Sequence, residues 1–230
     1  MCGRYTLTNP DPMRLRARFD ILESVEGEDA PRFNIAPTDP VLAVREIEAG
    51  ARELGRLRWG LVPGRWAERK GARPLINARA ETISTQPAFA ESFRERRCLI
   101  CADGFYEWLT DEQGKRPVWF SRPDEDLFAF AGVWAELRTG DDSVIHSCAI
   151  VTCDANAMMR PIHDRMPVIL DRELEAAWLD ASASEDDLAG LLRPPPDDLL
   201  TTRVVSDLVN DVRKDGPQLI EPREEQTALF

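Results

Sequence analysis

The sequence predicts an α+β fold built on a curved, mostly antiparallel β-sheet with a few helices. Three observations carry this reading. Short runs rich in β-branched and aromatic residues recur along the chain, separated by Gly, Pro, Asn or Asp. Only a few stretches space their apolar residues as a helix does. The chain has 230 residues and no internal repeat, enough to bury one sizeable core, so one domain over 1–230 is expected.

Arg4 to Leu7 reads as a first strand. Asn9-Pro10-Asp11-Pro12 ends it and caps a short helix with an apolar stripe of Leu15, Phe19 and Leu22. The acidic, turn-rich stretch 23–32 reads as a loop. Val41 to Ile47 and Leu54 to Leu61 read as a hairpin turning at Gly50. Residues 62–74, with Arg65, Arg69, Lys70 and Arg73, read as an exposed basic loop. Glu81 to Arg96 is expected to be helical around Phe89 and Phe93. Cys98 to Ala102 reads as a core strand running into Gly104 to Trp108. Pro117 to Phe120, Leu127 to Glu136, Ser147 to Thr152 and Met166 to Leu170 read as further strands. Asp171 is expected to cap a helix carrying Leu174, Ala177 and Trp178. A second short helix follows Ser184 and ends at Pro194-Pro195-Pro196, and Thr202 to Val205 returns to extended structure.

The net charge is −12, and Arg supplies nearly all the positive charge because Lys70, Lys115 and Lys214 are the only lysines. That balance fits a host with a salty cytoplasm, and a GC-rich genome would also favour Arg. It argues against long-range attraction to nucleic acid but leaves room for a local basic groove. No apolar run approaches the roughly 20 residues of a membrane span. No apolar h-region follows the N-terminus, so a cytoplasmic chain with reduced cysteines and no membrane partner is expected. No Walker loop or dinucleotide fingerprint is present. Cys98 and Cys101 form a C-x-x-C, but Cys148 and Cys153 have the wrong spacing to complete a zinc knuckle, and the first pair reads as a buried strand. No metal or cofactor is expected.

Chemistry concentrates in a few places. Cys2 becomes the N-terminal residue once Met1 is removed, and it then carries an α-amine and a thiol on adjacent carbons. Such a pair can condense with an aldehyde through nitrogen and close a five-membered ring through sulfur, or act as an N-terminal nucleophile. His163 is pinned between Pro161 and Pro167, and a positioned His is the commonest general acid or base. The other histidine, His146, reads as a surface residue. Glu107 ends an apolar strand between Tyr106 and Trp108, where aromatic walls desolvate a carboxylate and suit it to proton transfer. In an extended segment Asn77 and Arg79 share one face. Trp59, Arg65, Trp66 and Arg69 combine aromatic faces with guanidinium groups, as single-strand binding requires. Each of these also has a bland structural reading: a turn Asn, a solvated Glu, a core Trp.

Taken in order, Met1-Cys2-Gly3-Arg4, Asn34-Ile35-Ala36-Pro37, Trp59-Gly60-Leu61-Val62-Pro63, Asn77-Ala78-Arg79-Ala80-Glu81-Thr82, Gly104-Phe105-Tyr106-Glu107-Trp108 and Pro161-Ile162-His163-Asp164-Arg165-Met166-Pro167 resemble the SRAP family, the SOS-response-associated peptidase-like proteins that crosslink to abasic sites in single-stranded DNA. Val209-Asn210 through Gly216-Pro217-Gln218-Leu219-Ile220 resembles that family's C-terminal motif. The resemblance implies one SRAP-type domain with a barrel-like core and peripheral helices. It implies a thiazolidine crosslink from Cys2 to the ring-opened sugar, autoproteolytic or aminopeptidase removal of Met1, and weak strand-cleaving lyase activity. It places Asn77, Glu107 and His163 in the active site with Cys2. It places Arg4, Arg79 and Arg165 on DNA phosphates, and Pro37, Trp66 and Trp108 on bases. Asn34 and Thr152 fall in supporting positions. The implied partners of this monomer are abasic single-stranded DNA and replication-fork proteins, with a cytoplasmic, nucleoid-associated location. N-terminal-nucleophile amidotransferases also begin Met-Cys-Gly, but they typically continue with Ile, where this chain has Arg4. A non-covalent reader of single-stranded DNA is the other alternative.

Overall fold

A computed structural model describes residues 2–24, 29–48, 50–64, 73–112, 114–140 and 143–223. Its strands are β1 (Tyr5–Leu7), β2 (Ile21–Ser24), β3 (Arg32–Ile35), β4 (Pro40–Glu48), β5 (Ala51–Trp59), β6 (Asn77–Arg79), β7 (Arg97–Ala102), β8 (Gly104–Asp111), β9 (Gly114–Ser121), β10 (Phe128–Arg138), β11 (Val144–Asp154), β12 (Arg165–Pro167), β13 (Ile169–Leu170) and β14 (Thr201–Val204). Among the described residues, the α-helices are α1 (Pro12–Phe19), α2 (Ala90–Glu95), α3 (Arg172–Leu179) and α4 (Glu185–Leu191).

Strands β5, β4, β7, β10 and β11 pair in that order, and β11 returns to β5 in parallel at Ser147/Arg58 and Cys148/Trp59. This last pairing closes a barrel. A second, antiparallel sheet runs β14-β9-β8-β1-β3. The α+β reading with a curved, mostly antiparallel sheet is therefore correct. Every residue of β7 is buried, which explains the unbroken apolar run from Cys98 to Ala102. Leu99, Ile100, Phe130, Ile150 and Val151 are fully buried in the core. Each such side chain contributes about 1.5–3 kcal/mol of transfer free energy. The Tyr5 ring meets Trp59 and Phe130 edge-on at centroid distances of 5.3 and 5.6 Å, joining β1 to the barrel.

The run Cys98 to Trp108 is not one strand. It breaks at Asp103 and passes from the barrel to the second sheet. The buried Asp103 carboxylate accepts from Thr6 Oγ1 (2.6 Å), from the Thr8 amide (2.5 Å) and from Thr8 Oγ1 (2.7 Å), which fixes the crossing. Gly104 follows because a Cβ there would meet Trp119 Nε1 at 2.3 Å and Thr6 Oγ1 at 2.8 Å. This crossing aims β8, and with it Glu107, at the start of β1.

Other expectations need correction. The helix read over 81–96 is a 3-10 turn at Ala80–Thr82 and then the short α2. Pro87 lacks an amide hydrogen and obstructs the preceding turn. Leu22 leaves the helical stripe: it lies on β2 and is 69% exposed. The loop read over 23–32 is shortened at both ends by β2 and β3. In α3 the buried side chains are Glu175, Trp178 and Leu179, while Ala177 is exposed. A buried Glu breaks the hydrophobic pattern here because Arg18 holds Glu175 through two hydrogen bonds of 3.1 and 2.7 Å. Asp171 sits at the N-cap of α3 but its side chain makes no capping bond. Trp66 and most of the basic loop lie outside the described residues. Among the described residues, no helix is long and apolar enough to cross a membrane.

Candidate active site

The barrel and the second sheet meet where β1 begins. Cys2 is fully buried there, with Sγ 3.9 Å from the Arg4 carbonyl oxygen. Asn77, on β6, donates from Nδ2 to the Cys2 carbonyl at 3.0 Å. The Asn77 Oδ1 atom is buried and has no hydrogen-bond partner among the described residues. Glu107, on β8, is 4% exposed. The Tyr106 amide donates to the Arg4 carbonyl at 3.0 Å, so the β1/β8 pairing continues toward the N-terminus and brings Glu107 beside the Cys2 end. Burial pushes the Cys2 thiol far up from its ordinary pKa, and the negative charge of Glu107 adds to the shift. Cys2, Asn77 and Glu107 thus form one cluster drawn from three elements.

Strand β6 links this cluster to an open cleft. It pairs with β11 through Ile150/Asn77 and Thr152/Arg79, so Asn77 and Arg79 project on one side about 7 Å apart along the strand. The cleft, about 570 Å³, is lined by Arg79, Glu81, Thr82, Asp154, His163, Asp164 and Arg165. His163 Nδ1 accepts from the Arg165 amide at 2.9 Å and lies 2.8 Å from Asp164 Oδ1. Nδ1 is engaged by its own loop, so proton exchange with a bound molecule falls to Nε2.

Arg165 is almost fully committed. Nη1 donates to Glu81 (2.7 Å) and Asp154 (2.6 Å), and Nη2 donates to Glu81 (2.9 Å) and the Thr152 carbonyl (2.7 Å). Its side chain is only 12% exposed. A phosphate would have to replace carboxylates there. Arg79 is exposed. Arg4 Nη1 donates to Asn34 Oδ1 at 2.8 Å and to the Val209 carbonyl at 2.6 Å. Asn34 is buried, and its Nδ2 reaches the carbonyls of Val209, Asp211 and Lys214 at 3.3, 3.1 and 2.9 Å. Thr152 is fully buried and donates to the Ala78 carbonyl at 3.4 Å, bracing β6 on β11.

Pro37 sits at the second position of a turn closed by the Asp39 amide on the Ala36 carbonyl at 3.1 Å. Thr38 follows with φ of 81°, the conformation a type II turn demands and a β-branched residue resists. Trp108 is half-buried. Its indole Nε1–H donates to Asn210 Oδ1 at 2.8 Å, and Lys115 Nζ lies 5.7 Å from its ring centroid. Sequence reasoning missed the roles of Glu81, Asp154 and Asn210. The Val209-Asn210 motif was visible, but nothing in the sequence showed that it folds back onto Trp108 and Arg4.

All four other cysteines are buried thiols. Among the described residues, no group of three or more His, Cys, Asp or Glu side chains is arranged to hold a metal ion.

Residues 1–212 match the family model described as SOS response associated peptidase (SRAP). The chain belongs to the SRAP family. It is 39% identical over 224 residues to the abasic site processing protein YoqW of Bacillus subtilis, covering 96% of this chain and 99% of that one. It is 32% identical over 232 residues to the abasic site processing protein YedK of Escherichia coli, covering 96% and 100%. A crystal structure of a phage-related protein from Bordetella bronchiseptica aligns with a TM-score of 0.72 at 29% identity, covering 89% of this chain and 94% of that one. A protein from Bacteroides thetaiotaomicron shares the SRAP fold with a TM-score of 0.85 at 23% identity, covering 96% and 100%.

Proposed function

We propose that this SRAP protein processes abasic sites in single-stranded DNA by forming a thiazolidine between Cys2, freed of Met1, and the C1′ aldehyde of the ring-opened sugar. The carrying observation is the Asn77 amide on the Cys2 carbonyl, 3.0 Å away, beside the buried Glu107. The names of the related proteins from Bacillus subtilis and Escherichia coli supply the substrate class.

In this reading His163 Nε2 gives its proton to the ring oxygen of the sugar as it takes the proton of the C1′ hydroxyl, so the ring opens to the aldehyde and the imidazole ends as it began. The neutral α-amine of Cys2 adds to C1′. The Glu107 carboxylate carries a proton from the added nitrogen to the oxygen, giving the carbinolamine, and then relays a solvent proton to its hydroxyl, which leaves as water and gives a protonated imine. The sulfur then adds to that carbon as the thiol proton passes to the Glu107 carboxylate, and the nitrogen recovers its electron pair. One water is released overall. The upward shift of the Cys2 thiol supports this order, because a thiol held neutral is a poor first nucleophile. Asn77 orients the residue that carries both nucleophiles, which supplies proximity that free cysteine lacks. Arg4 and Arg79 serve the DNA backbone, and Pro37 and Trp108 serve the bases. Arg165 joins them only if a phosphate displaces Glu81 or Asp154. The protonated imine also permits β-elimination, the source of weak lyase activity. Met1 removal is assigned either to the chain itself or to an aminopeptidase.

The test is incubation with a labelled single-stranded oligonucleotide bearing one abasic site, then denaturing electrophoresis and mass spectrometry of the adduct. A stable band mapped to residue 2 is expected. Attachment elsewhere, or a complex that dissolves on denaturation, overturns the reading. The second outcome would identify a non-covalent reader.

A further inference from the structure

The segment 207–215 after β14 packs on β8 and on Arg4 and Asn34 beside it, and its contacts include residues to which the proposed function gives DNA roles. It begins as a 3-10 turn, Asp207–Asn210, capped by Ser206 Oγ on the Leu208 amide at 3.3 Å. Val209 buries its side chain with Tyr106, Trp119 and Val205, and Trp108 packs against that small cluster. The Val209 carbonyl takes Arg4 Nη1 at 2.6 Å, and the next residue presents Asn210 Oδ1 to the Trp108 indole at 2.8 Å. The far end is clasped independently. Asp215 accepts from Arg32 Nε at 2.8 Å and from the Phe33 amide at 2.5 Å, while Asn34 gathers three carbonyls from 209, 211 and 214.

We infer that Asn210 is a positioning residue for Trp108, and that the strap 207–215 sets the direction of the Trp108 ring and the Arg4 guanidinium together. The physical reason is the geometry of an indole. Rotation about χ1 and χ2 sweeps a Trp ring through several orientations, and apolar packing on one side does not choose among them. The Nε1–H is the ring's single hydrogen-bond donor. A partner held on a clasped backbone turn selects the one orientation that points this donor at Oδ1. A ring fixed beforehand loses less freedom when a base stacks on it, so the benefit appears as affinity for the strand. This inference rests on the proposed function for what Trp108 recognises, but the indole–amide contact does not.

The experiment is a double-mutant cycle on DNA binding, paired with a second measurement that needs no DNA. Asn210→Leu keeps the size of the side chain and removes the acceptor. The probe is an oligothymidine carrying one tetrahydrofuran residue, an abasic analogue without an aldehyde, with binding measured by fluorescence anisotropy. Asn210→Leu should weaken binding about 3- to 10-fold in the wild-type background and by less than about 1.5-fold in a Trp108→Ala background. An equal loss in both backgrounds would mean that Asn210 acts elsewhere and overturns the inference. In parallel, hydrogen exchange of the Trp108 indole N–H, followed by NMR, should quicken in Asn210→Leu. Exchange as slow as in the wild type also overturns it. A protein that binds the analogue yet never crosslinks to a true abasic site sinks the thiazolidine chemistry, while a cycle that still couples keeps Asn210 in its role.

Discussion

The Asn77 side-chain amide donates to the Cys2 carbonyl at 3.0 Å, while its Oδ1 is buried without a hydrogen-bond partner among the described residues. One end of the amide therefore holds the nucleophile-bearing residue and the other offers an acceptor lone pair in the site. Removing the side chain takes away both. Asn77→Ala should slow crosslinking about 10- to 100-fold, equivalent to about 1.4–2.7 kcal/mol of lost orientation. Asn77→Asp should be slower still, because a carboxylate cannot donate to the carbonyl and adds a second negative charge near Glu107. Single-turnover rates on denaturing gels check this, and equal rates for all three proteins would remove Asn77 from the chemistry.

The raised Cys2 thiol predicts which atom bonds first. Cys2→Ser leaves the α-amine after Met1 is removed, so an imine can still form but no sulfur can lock it. That variant should give no adduct stable to denaturation, yet should be captured when borohydride is present. Extending the N-terminus by one residue keeps the thiol and blocks the amine, and should abolish both adducts. A durable crosslink from the extended protein would put sulfur first.

Thr38 holds φ of 81° next to Pro37. A non-glycine residue there stores about 1–3 kcal/mol of backbone strain, and a glycine at the same place costs about 0.5–1 kcal/mol in unfolded-chain entropy. Thr38→Gly should therefore stabilise the protein by about 1 kcal/mol in urea denaturation. A loss of stability would mean that the turn's bonds, such as the Thr38 amide on the Trp59 carbonyl at 2.7 Å, already relieve the conformation. The same variant tests whether the strained tip matters for DNA binding, since a looser Pro37 should bind single strands less tightly.

What the sequence conveyed depended on whether the signal was local. Strands such as β7 and β10 were legible because burial on both faces writes a continuous apolar run. The barrel closure was not, because the β5–β11 pairing joins Trp59 to Cys148 and leaves no local pattern. The break at Asp103 was hidden for a related reason: its partners Thr6 and Thr8 lie almost a hundred residues earlier. Pro87 was in plain view, and the over-long helix across it came from giving Phe89 and Phe93 more weight than the proline. In the site, Cys2, Asn77 and Glu107 were each legible as candidates, and folding brought them together. The commitment of Arg165 to Glu81 and Asp154 was not foreseeable, since Asp154 reaches it only across the β11–β12 pairing.

That commitment gives the last prediction. Burial tends to raise the Glu81 carboxyl, but its hydrogen bonds to Arg165 outweigh this and leave it below its ordinary value of 4.5. A carboxylate whose folded-state pKa is depressed contributes stability that is present above the unfolded value and is lost as pH falls through the folded one. The Glu81 side chain is 48% exposed, so solvent screening holds the contribution to under about 1 kcal/mol. The stability gap between wild type and Glu81→Gln should therefore be small and positive at pH 7 and should close as the pH falls below about 4. Urea denaturation at several pH values measures it, and a gap that widens on acidification would reverse the assignment. The same substitution takes from Arg165 the charge of Glu81 and one of its two acceptor oxygens. Glu81→Gln should thus bind single-stranded DNA more tightly at low salt, with a salt dependence steeper by about 0.7 in log–log slope, the increment for one added phosphate contact on a single strand. An unchanged slope would mean that Arg165 braces β12 against β11 and never reaches the backbone of the DNA.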